Sequence, residues 1–232
     1  MSIDWLNSLI YGDPGTGKTY FLGTAEDHPD THPLLILDID GGIKTLRKRQ
    51  GIDVIQIRSF AQIVKVYQDL YNAIEKGKLP YKTIGIDTFS ELAKLDLGTI
   101  NVEFAKTNPN IDEDVPDQRS YYKSGNHMRK ITRGFRDLPC NVFFISHVKY
   151  DQDTLMRKTL SPQFAGKLSS DIPGFLDIVG LLRAEVKGNV ITRFLQTAKT
   201  EVTIAKDRTS VLPAVMEEPT IPKMWELLKE SN

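Results

Sequence analysis

The sequence predicts an α/β fold: a mostly parallel central sheet with helices on both faces and an antiparallel edge near the C-terminus. Short apolar runs alternate with longer amphipathic segments, which is typical of a parallel sheet covered by helices on both faces. A Gly-rich segment at residues 12–19 joins the first apolar run to the first helical segment. After Gly188 and Asn189 the pattern changes to apolar and polar residues in alternation, which indicates a hairpin.

Six short apolar runs are predicted to form the parallel strands because each is four to six residues long and bounded by polar or turn-forming residues. These runs are 8–11, 34–38, 54–57, 83–87, 142–146 and 178–183. Two later runs, 190–196 and 202–205, are predicted to form a hairpin or meander at one edge of the sheet.

The clearest helix is predicted over residues 59–76, where the apolar positions share one face. Ser59 and Gln62 have the spacing of a capping box, in which each side chain bonds the other residue's backbone N–H. Gly77 follows the last apolar position and is expected to end the helix, since glycine readily adopts the left-handed conformation found there.

Two further helices are predicted over residues 88–106 and 118–137. Thr88 and Glu91 again have capping-box spacing, and Pro139 would stop the second of these helices. The polar stretches 107–117 and 149–167 are predicted to be mobile loops, because neither has a strand or helix period.

Composition indicates an ordinary globular protein, and we expect residues 1–232 to form one domain. The formal net charge is +0, so any nucleic-acid binding would have to depend on local basic patches. No apolar run approaches the roughly 18 residues of a membrane helix, and we expect no signal peptide. A single cysteine, Cys140, precedes an apolar run and is predicted to be buried and inert, in keeping with a reducing cytoplasm.

Residues 12–19 match the phosphate-loop pattern G-x-x-x-x-G-K-[ST] at every position. In such a loop backbone N–H groups surround phosphate oxygens, the lysine (Lys18) reaches the β- and γ-phosphates, and the threonine hydroxyl (Thr19) ligates Mg²⁺. The sequence therefore predicts nucleotide binding by the loop and the residue after it. The predicted binding residues are Gly12, Asp13, Pro14, Gly15, Thr16, Gly17, Lys18, Thr19 and Tyr20.

Two acidic residues at predicted strand ends are candidates for metal and water chemistry. The apolar strand 83–87 ends in Asp87, and in these folds the strand beside the loop is expected to deliver an acid that holds Mg²⁺ through water. A structural alternative for Asp87 is a favourable interaction with a helix N-terminus. Asp40 follows strand 34–38 and precedes two glycines, so it is predicted to polarise the attacking water or, alternatively, to form a turn. Glu91 is the rival base.

Three basic or titratable residues follow other strands. His147 comes directly after 142–146 and is a candidate sensor of the γ-phosphate, although a lone histidine is often structural. Lys206 and Arg208 are two residues apart and so point the same way from a strand. They are predicted to donate to phosphate in their own site or across a subunit interface, the alternative being a solvated turn.

A basic segment at 149–167 is a candidate contact for nucleic acid. It carries four cationic residues and the aromatic residues Tyr150 and Phe164, which would stack on bases. A solvated surface is the default alternative for these charges and for the stripe formed by Arg129, Arg133 and Arg136. The four cationic residues of the segment are Lys149, Arg157, Lys158 and Lys167.

In this order, the motifs resemble those of the RecA-like ATPases and, more narrowly, phage-type ATP-binding proteins of the AAA-domain group that includes single-strand-annealing recombination ATPases. The resemblance runs from residue 9 to about 213. Residues 35–42 are similar to a family strand ending in Asp-x-Glu-Gly, with Asp40 at the position of the catalytic glutamate. Residues 83–87 look like the Walker B strand, 142–147 like the sensor strand and 172–180 like the stretch leading into the next strand. Residues 205–208 look like the Lys-x-Arg that reaches a neighbouring subunit's nucleotide.

This resemblance implies a RecA-like P-loop NTPase core that binds Mg²⁺ and ATP and hydrolyses ATP. It gives catalytic or sensing roles to Lys18, Asp40, Asp87 and His147, and trans-acting roles to Lys206 and Arg208. It also implies a ring or filament with shared nucleotide sites, single-stranded DNA as activator, single-strand-binding protein as a possible partner, and the host cytoplasm as location if the protein is phage-encoded.

Two other functions fit the same motifs. A nucleotide-gated adaptor or helicase loader would bind ATP with little turnover, and an aspartate at position 40 favours that alternative. A small-molecule kinase would need an arginine-rich lid and an acceptor pocket, and the basic segment 149–167 is only moderately rich in arginine.

Overall fold

The computed structural model describes residues 5–231, within which ten strands form one mixed sheet. The strands are β1 (Asn7–Gly12), β2 (Leu34–Asp38), β3 (Asp53–Gln56), β4 (Thr83–Asp87), β5 (Asn141–Gln152), β6 (Lys158–Pro162), β7 (Ile178–Lys187), β8 (Val190–Gln196), β9 (Lys206–Asp207) and β10 (Val215–Glu217).

Six α-helices and two short 3-10 helices, Thr24–Asp27 and Gly42–Leu46, connect these strands in the described chain. The α-helices are α1 (Lys18–Gly23), α2 (Phe60–Glu75), α3 (Phe89–Thr107), α4 (Gln118–Arg136), α5 (Leu168–Phe175) and α6 (Ile221–Glu230).

The strands follow the order β10-β8-β7-β1-β5-β4-β2-β3, with β6 beside β5 and β9 beside β7. The pairs from β7 across to β3 are parallel, while β8, β10 and β9 pair antiparallel. The predicted α/β class, parallel centre and antiparallel edge are confirmed. One expectation is wrong: β4, which ends in Asp87, is not beside β1, because β5 lies between them. The assignment of residues 1–232 to one domain stays a prediction.

Alternate residues of the central strands pack on opposite faces, which explains why both faces carry helices. Leu9 and Tyr11 belong to the core beneath α2, α3, α4 and α5, whereas Ile10 belongs to the core beneath α1 and α6. All three side chains are 0% exposed. Because each buried side chain of this size contributes about 1.5–3 kcal/mol, the two cores fix β1 and the segment that follows it.

The first predicted helix is confirmed at Phe60–Glu75. The Ser59 hydroxyl accepts the backbone N–H of Gln62 at 3.2 Å, and Gly77 has a left-handed φ of 65°. The reciprocal bond differs from a capping box, because the Gln62 side chain accepts from the N–H of Arg58 at 2.6 Å.

The capping box predicted for Thr88 and Glu91 is wrong. Thr88 precedes α3 but its side chain makes no capping hydrogen bond. Its hydroxyl donates instead to Asp40 Oδ2 at 3.3 Å, because the residue lies at the end of β4 opposite that carboxylate. The side chains of Thr88 and Glu91 therefore contact other residues at the carboxyl edge of the sheet.

Two predictions for the C-terminal half are also wrong. Residues 149–167, predicted as a loop, continue β5 and return as β6, so this segment is largely an antiparallel hairpin. Residues 202–205 form no regular strand: Thr203 makes only an isolated bridge to Leu160 of β6, because β10 occupies the free edge of β8. Helices α5 and α6 were not predicted, although Thr220 caps α6 through the N–H of Lys223.

Cys140 is 0% exposed, and burial raises the pKa of its thiol to about 12. The thiolate is the reactive species, so at pH 8 we expect no reaction of the folded protein with a disulfide reagent such as DTNB within minutes. One thiol per chain should react once guanidinium unfolds the protein. Rapid reaction of the native protein, followed by absorbance at 412 nm, would contradict the burial of this residue.

Candidate functional site

The predicted phosphate loop joins β1 to α1 and has the backbone shape that the motif requires. Gly17 has φ 94°, a left-handed conformation that side-chain-bearing residues rarely adopt. Gly12 has no room for a side chain, because a Cβ there would lie 2.3 Å from the Leu182 carbonyl oxygen of β7. The Phe21 N–H donates to the Gly17 carbonyl at 2.8 Å, so the helix begins as the loop closes.

Lys18 is buried within this loop. Its Nζ donates to the carbonyl oxygens of Gly12 and Asp13, each at 2.8 Å. Burial lowers the pKa of Lys18, and the negative charges of Asp87, Asp13 and Asp40 oppose that shift. A desolvated ammonium held only by two neutral carbonyl oxygens can exchange them for phosphate oxygens, which are stronger acceptors.

Thr19 and Asp87 meet directly, as the metal prediction requires. The Thr19 hydroxyl donates to Asp87 Oδ2 at 2.5 Å. Asp87 is 2% exposed, and burial raises its pKa to about 6, with the Thr19 hydrogen bond opposing the rise. The chain reaches across β5 to make this contact, because parallel strands end at one edge of the sheet.

These groups fit a Mg²⁺ ion bound together with a nucleotide. Hydroxyl and carboxylate oxygens are its preferred ligands, and phosphates and water complete its shell. Asp38, which pairs with Asp87 across β2 and β4, has a buried Oδ2 with no hydrogen-bond partner. A Cβ on Gly42 would lie 3.3 Å from Thr19 Oγ1 and 4.0 Å from Asp87 Oδ2, so glycine keeps this space open. Across residues 5–231 no cluster of three His, Cys, Asp or Glu side chains could hold a metal unaided.

The turn after β2 is made by Asp38, which leaves Asp40 free to face the site. Asp38 Oδ1 accepts the N–H of Gly41 at 3.0 Å, and burial raises the pKa of Asp38. Asp40 Oδ2 accepts the Thr88 hydroxyl and lies 3.8 Å from His147 Nε2. The turn role that was the alternative for Asp40 is therefore taken by its neighbour Asp38.

His147 pairs with Gly12 in the β1–β5 register and lies between two carboxylates. Its Nε2 is 3.8 Å from both Asp40 Oδ2 and Glu91 Oε1. The backbone N–H of His147 donates to the Ser90 hydroxyl at 3.1 Å. Burial and the charge of Lys18 lower the His147 pKa, with Glu91 and Asp40 opposing, and this favours the neutral ring. Glu91 is also paired with Lys94 at 2.7 Å, which partly neutralises the rival base.

Lys206 and Arg208 do not reach their own loop, so that part of the prediction is wrong. β9 pairs with Ile178 and Val179, which align with the beginning of β1, at the opposite end from Gly12. Lys206 Nζ donates to the Pro173 carbonyl at 2.6 Å, and an Arg208 N–H donates to the Gly174 carbonyl at 2.8 Å. The two side chains stabilise the end of α5 within this subunit.

Tyr150 and Phe164 do not form a base-stacking pair. Phe164 is 4% exposed and packs in the core, so its predicted stacking role is wrong. The Tyr150 hydroxyl donates to Asp13 Oδ2 at 2.6 Å, which ties the β5–β6 hairpin to the phosphate loop. A paired hairpin anchored in this way also differs from the open lid expected of a kinase.

Most of the basic side chains that were candidates for nucleic-acid contact form ion pairs or cation–π contacts with neighbouring residues. Arg157 bonds Asp153 and Glu201, and Lys149 lies 2.7 Å from Asp151. On α4 the stripe is likewise engaged: Arg129 pairs with Asp171, Arg133 lies over the Phe175 ring and Arg136 pairs with Asp137.

One residue at the loop, Arg193 of β8, was not predicted from the sequence. A Cβ on Gly17 would lie 2.4 Å from its Nε, and its guanidinium carbon lies 5.0 Å from the centre of the Tyr20 ring. Arg193 is far from the loop in the sequence and does not interrupt the strand pattern of residues 190–196. Its contact with the loop therefore becomes apparent only from the order of the strands in the sheet.

A family model described as an AAA domain matches residues 6–209 of the chain. No curated protein matches it. In the part of the chain that the structure describes, no helix is long and apolar enough to cross a membrane.

Replacing Asp87 with asparagine should separate folding from Mg²⁺ binding. Burial disfavours the charged carboxylate, so D87N is expected to fold with a melting temperature no lower than that of the wild type. For the wild type, Mg²⁺ with excess nucleotide should raise the melting temperature by about 5–10 °C. D87N should lose the Mg²⁺-dependent part of this increase; retaining it in full would remove Asp87 from the metal site. Differential scanning fluorimetry with and without EDTA measures both quantities.

Proposed function

The chain belongs to the AAA domain family, and from this premise we propose that it binds ATP with Mg²⁺ and hydrolyses it to ADP and phosphate. The observation that supports this most is the contact between Thr19 and Asp87, which unites the loop hydroxyl and the strand-end carboxylate at 2.5 Å. Lys18 lies in the same loop, so the groups for phosphate and metal are already assembled.

The loop is proposed to bind the phosphates through its backbone N–H groups and Lys18. On binding, Lys18 Nζ exchanges the Gly12 and Asp13 carbonyls for β- and γ-phosphate oxygens. Thr19 and Asp87 would hold Mg²⁺, which when bound neutralises charge that develops on the phosphates.

Asp40 is proposed to orient the attacking water. Its carboxylate lies past the end of β2, is held by the Thr88 hydroxyl and is partly solvent-exposed, so a water can bond to it. Accepting a hydrogen bond from that water would align it with the γ-phosphate and disperse the developing positive charge. His147, neutral and aligned with Gly12, is proposed to report the γ-phosphate to the β5–β6 hairpin that follows it.

Assembly and DNA stimulation are proposed from the family resemblance. Lys206 and Arg208 would then serve the nucleotide of a neighbouring subunit in a ring or filament. Arg208 is compatible with this role because its side chain is 52% exposed at the edge away from its own loop. Single-stranded DNA is proposed as the activator, with single-strand-binding protein as a further partner, in phage-type recombination or annealing.

A nucleotide-gated adaptor is the second candidate, and Asp40 is the observation that favours it. Its side chain is one methylene shorter than glutamate and is already bonded to Thr88, which shortens its reach toward a water. An adaptor would change elution volume with ATP while releasing negligible phosphate, so size-exclusion chromatography beside a turnover assay distinguishes the two functions.

The proposed hydrolysis predicts Mg²⁺-dependent phosphate release well above that of K18A, increased further by single-stranded DNA. K18A is the matched blank because it removes the phosphate-binding ammonium and leaves the rest of the site intact. A malachite-green assay with and without DNA measures the rates. Release equal to the K18A blank under both conditions would refute the ATPase proposal.

Asp40 and Glu91 are both 3.8 Å from His147, so paired amide variants separate them. D40N should lower kcat by about a hundredfold or more, since the neutral amide cannot stabilise the positive charge that develops on the attacking water or take up its proton. E91Q should leave kcat close to the wild-type value because Glu91 is paired with Lys94, which partly neutralises its carboxylate. The reverse ranking would make Glu91 the water-orienting acid. Thermal melts of both variants control for folding.

A further inference from the structure

The backbone of Arg193 is anchored by Glu218, and its side chain lies against the phosphate loop. Its backbone N–H donates to Glu218 Oε1 at 2.6 Å, and its carbonyl accepts the Glu218 N–H at 2.8 Å. The side chain extends over Gly17, where a Cβ would lie 2.4 Å from Nε and 3.3 Å from Cζ. Only a glycine at position 17 permits this approach, so the guanidinium borders the cradle itself.

The guanidinium has unused hydrogen-bonding capacity. Arg193 Nε is buried and has no hydrogen-bond partner, and no carboxylate described between residues 5 and 231 lies within 4.0 Å of its side-chain nitrogens. A buried N–H without an acceptor is unfavourable in an otherwise satisfied fold. An anion in the loop would supply the missing acceptor with a charge-assisted bond.

Arg49 provides an internal comparison, because both arginines lie over the same aromatic ring. Its guanidinium carbon is 5.4 Å from the Tyr20 ring centre, close to the 5.0 Å of Arg193. Arg49, however, bonds Asp27 at 2.6 Å and the Gly23 carbonyl at 3.0 Å. The ring therefore orients two cations, of which Arg49 is neutralised and Arg193 is not.

Sheet order places this cation on the side of the loop opposite the acids. β8 lies beyond β7, while β4 and β2, which deliver Asp87 and Asp40, lie on the other side of β1. If Mg²⁺ and the γ-phosphate lie with the acids, as the proposed function has them, the phosphates nearer the nucleoside extend toward Arg193 and Tyr20.

We propose that Arg193 is a nucleotide-binding residue of its own subunit, which donates to the α- and β-phosphates while Tyr20 holds its guanidinium plane. This inference rests on the proposed nucleotide binding and adds a cis-acting donor to it. Because the γ-phosphate lies on the acidic side, Arg193 strengthens binding of ADP and ATP by the same factor.

The test compares R193M with R49M by calorimetric titration of ADP and of ATP in the presence of Mg²⁺. Methionine keeps the aliphatic packing over Tyr20 and removes the charge. R193M is expected to bind both nucleotides about ten- to a hundredfold more weakly, in proportion to the loss of a charge-assisted bond. R49M is expected to bind as the wild type does, and the ratio of ATP to ADP affinity should not change in either variant.

Three results would overturn the inference. R193M could bind both ADP and ATP as tightly as the wild type, or R193M and R49M could weaken binding equally, which would assign the effect to packing on Tyr20. R193M could also lose affinity for ATP alone, which would assign Arg193 to the γ-phosphate. If the wild type bound neither nucleotide, the proposed function itself would fail, and that outcome is distinct from the other three.

A measurement on the wild type does not depend on the folding of any variant. Phenylglyoxal modifies arginine side chains, and peptide mass spectrometry locates the adducts. ADP is expected to slow modification of Arg193 while leaving the exposed Arg47 unaffected. Equal modification of Arg193 with and without saturating ADP would overturn the inference.

Discussion

The contact between the Thr19 hydroxyl and the Asp87 carboxylate is the constraint on which the site depends. β5 lies between β1, which precedes the phosphate loop, and β4, which ends in Asp87. The 2.5 Å hydrogen bond from Thr19 to Asp87 therefore crosses the carboxyl end of β5. This requires β1 to be held by cores on both faces and Gly12 to lack a side chain beside β7. In this arrangement Lys18 is buried and its Nζ bonds the Gly12 and Asp13 carbonyl oxygens of its own loop.

Charge is divided across the loop, and this division gives the site a direction. Acidic groups from β2 and β4 lie on one side, where burial raises the pKa of Asp38 and of Asp87. Arg193 lies on the other side, and its buried Nε has no hydrogen-bond partner among residues 5–231. In the proposed binding mode a phosphate chain would satisfy both sides at once, with the metal and the γ-phosphate toward the acids. The site therefore brings together buried acidic and basic groups, which a nucleotide with Mg²⁺ would neutralise.

The β5–β6 hairpin is linked directly to the phosphate loop. It continues the strand that carries His147 and bonds the loop through Tyr150 and Asp13 at 2.6 Å. A nucleotide that displaced Asp13 or altered His147 would therefore act on one continuous strand. Lys206 and Arg208, by contrast, brace α5 at the opposite edge of the sheet, and a role in catalysis would require a second subunit.

The sequence by itself determined the α/β class, the parallel strands, the glycine-dependent loop and helix α2, because these depend on local periodicity and on residues with special backbone freedom. It did not determine that β5 lies between β1 and β4 or that Asp38 makes the turn beside Asp40. Nor did it show that the side chains of Thr88 and Glu91 contact Asp40 and His147 and make no capping box. Arg193 was invisible for the same reason. Strand order brings residues together across long stretches of chain, and only the packing of both sheet faces decides that order.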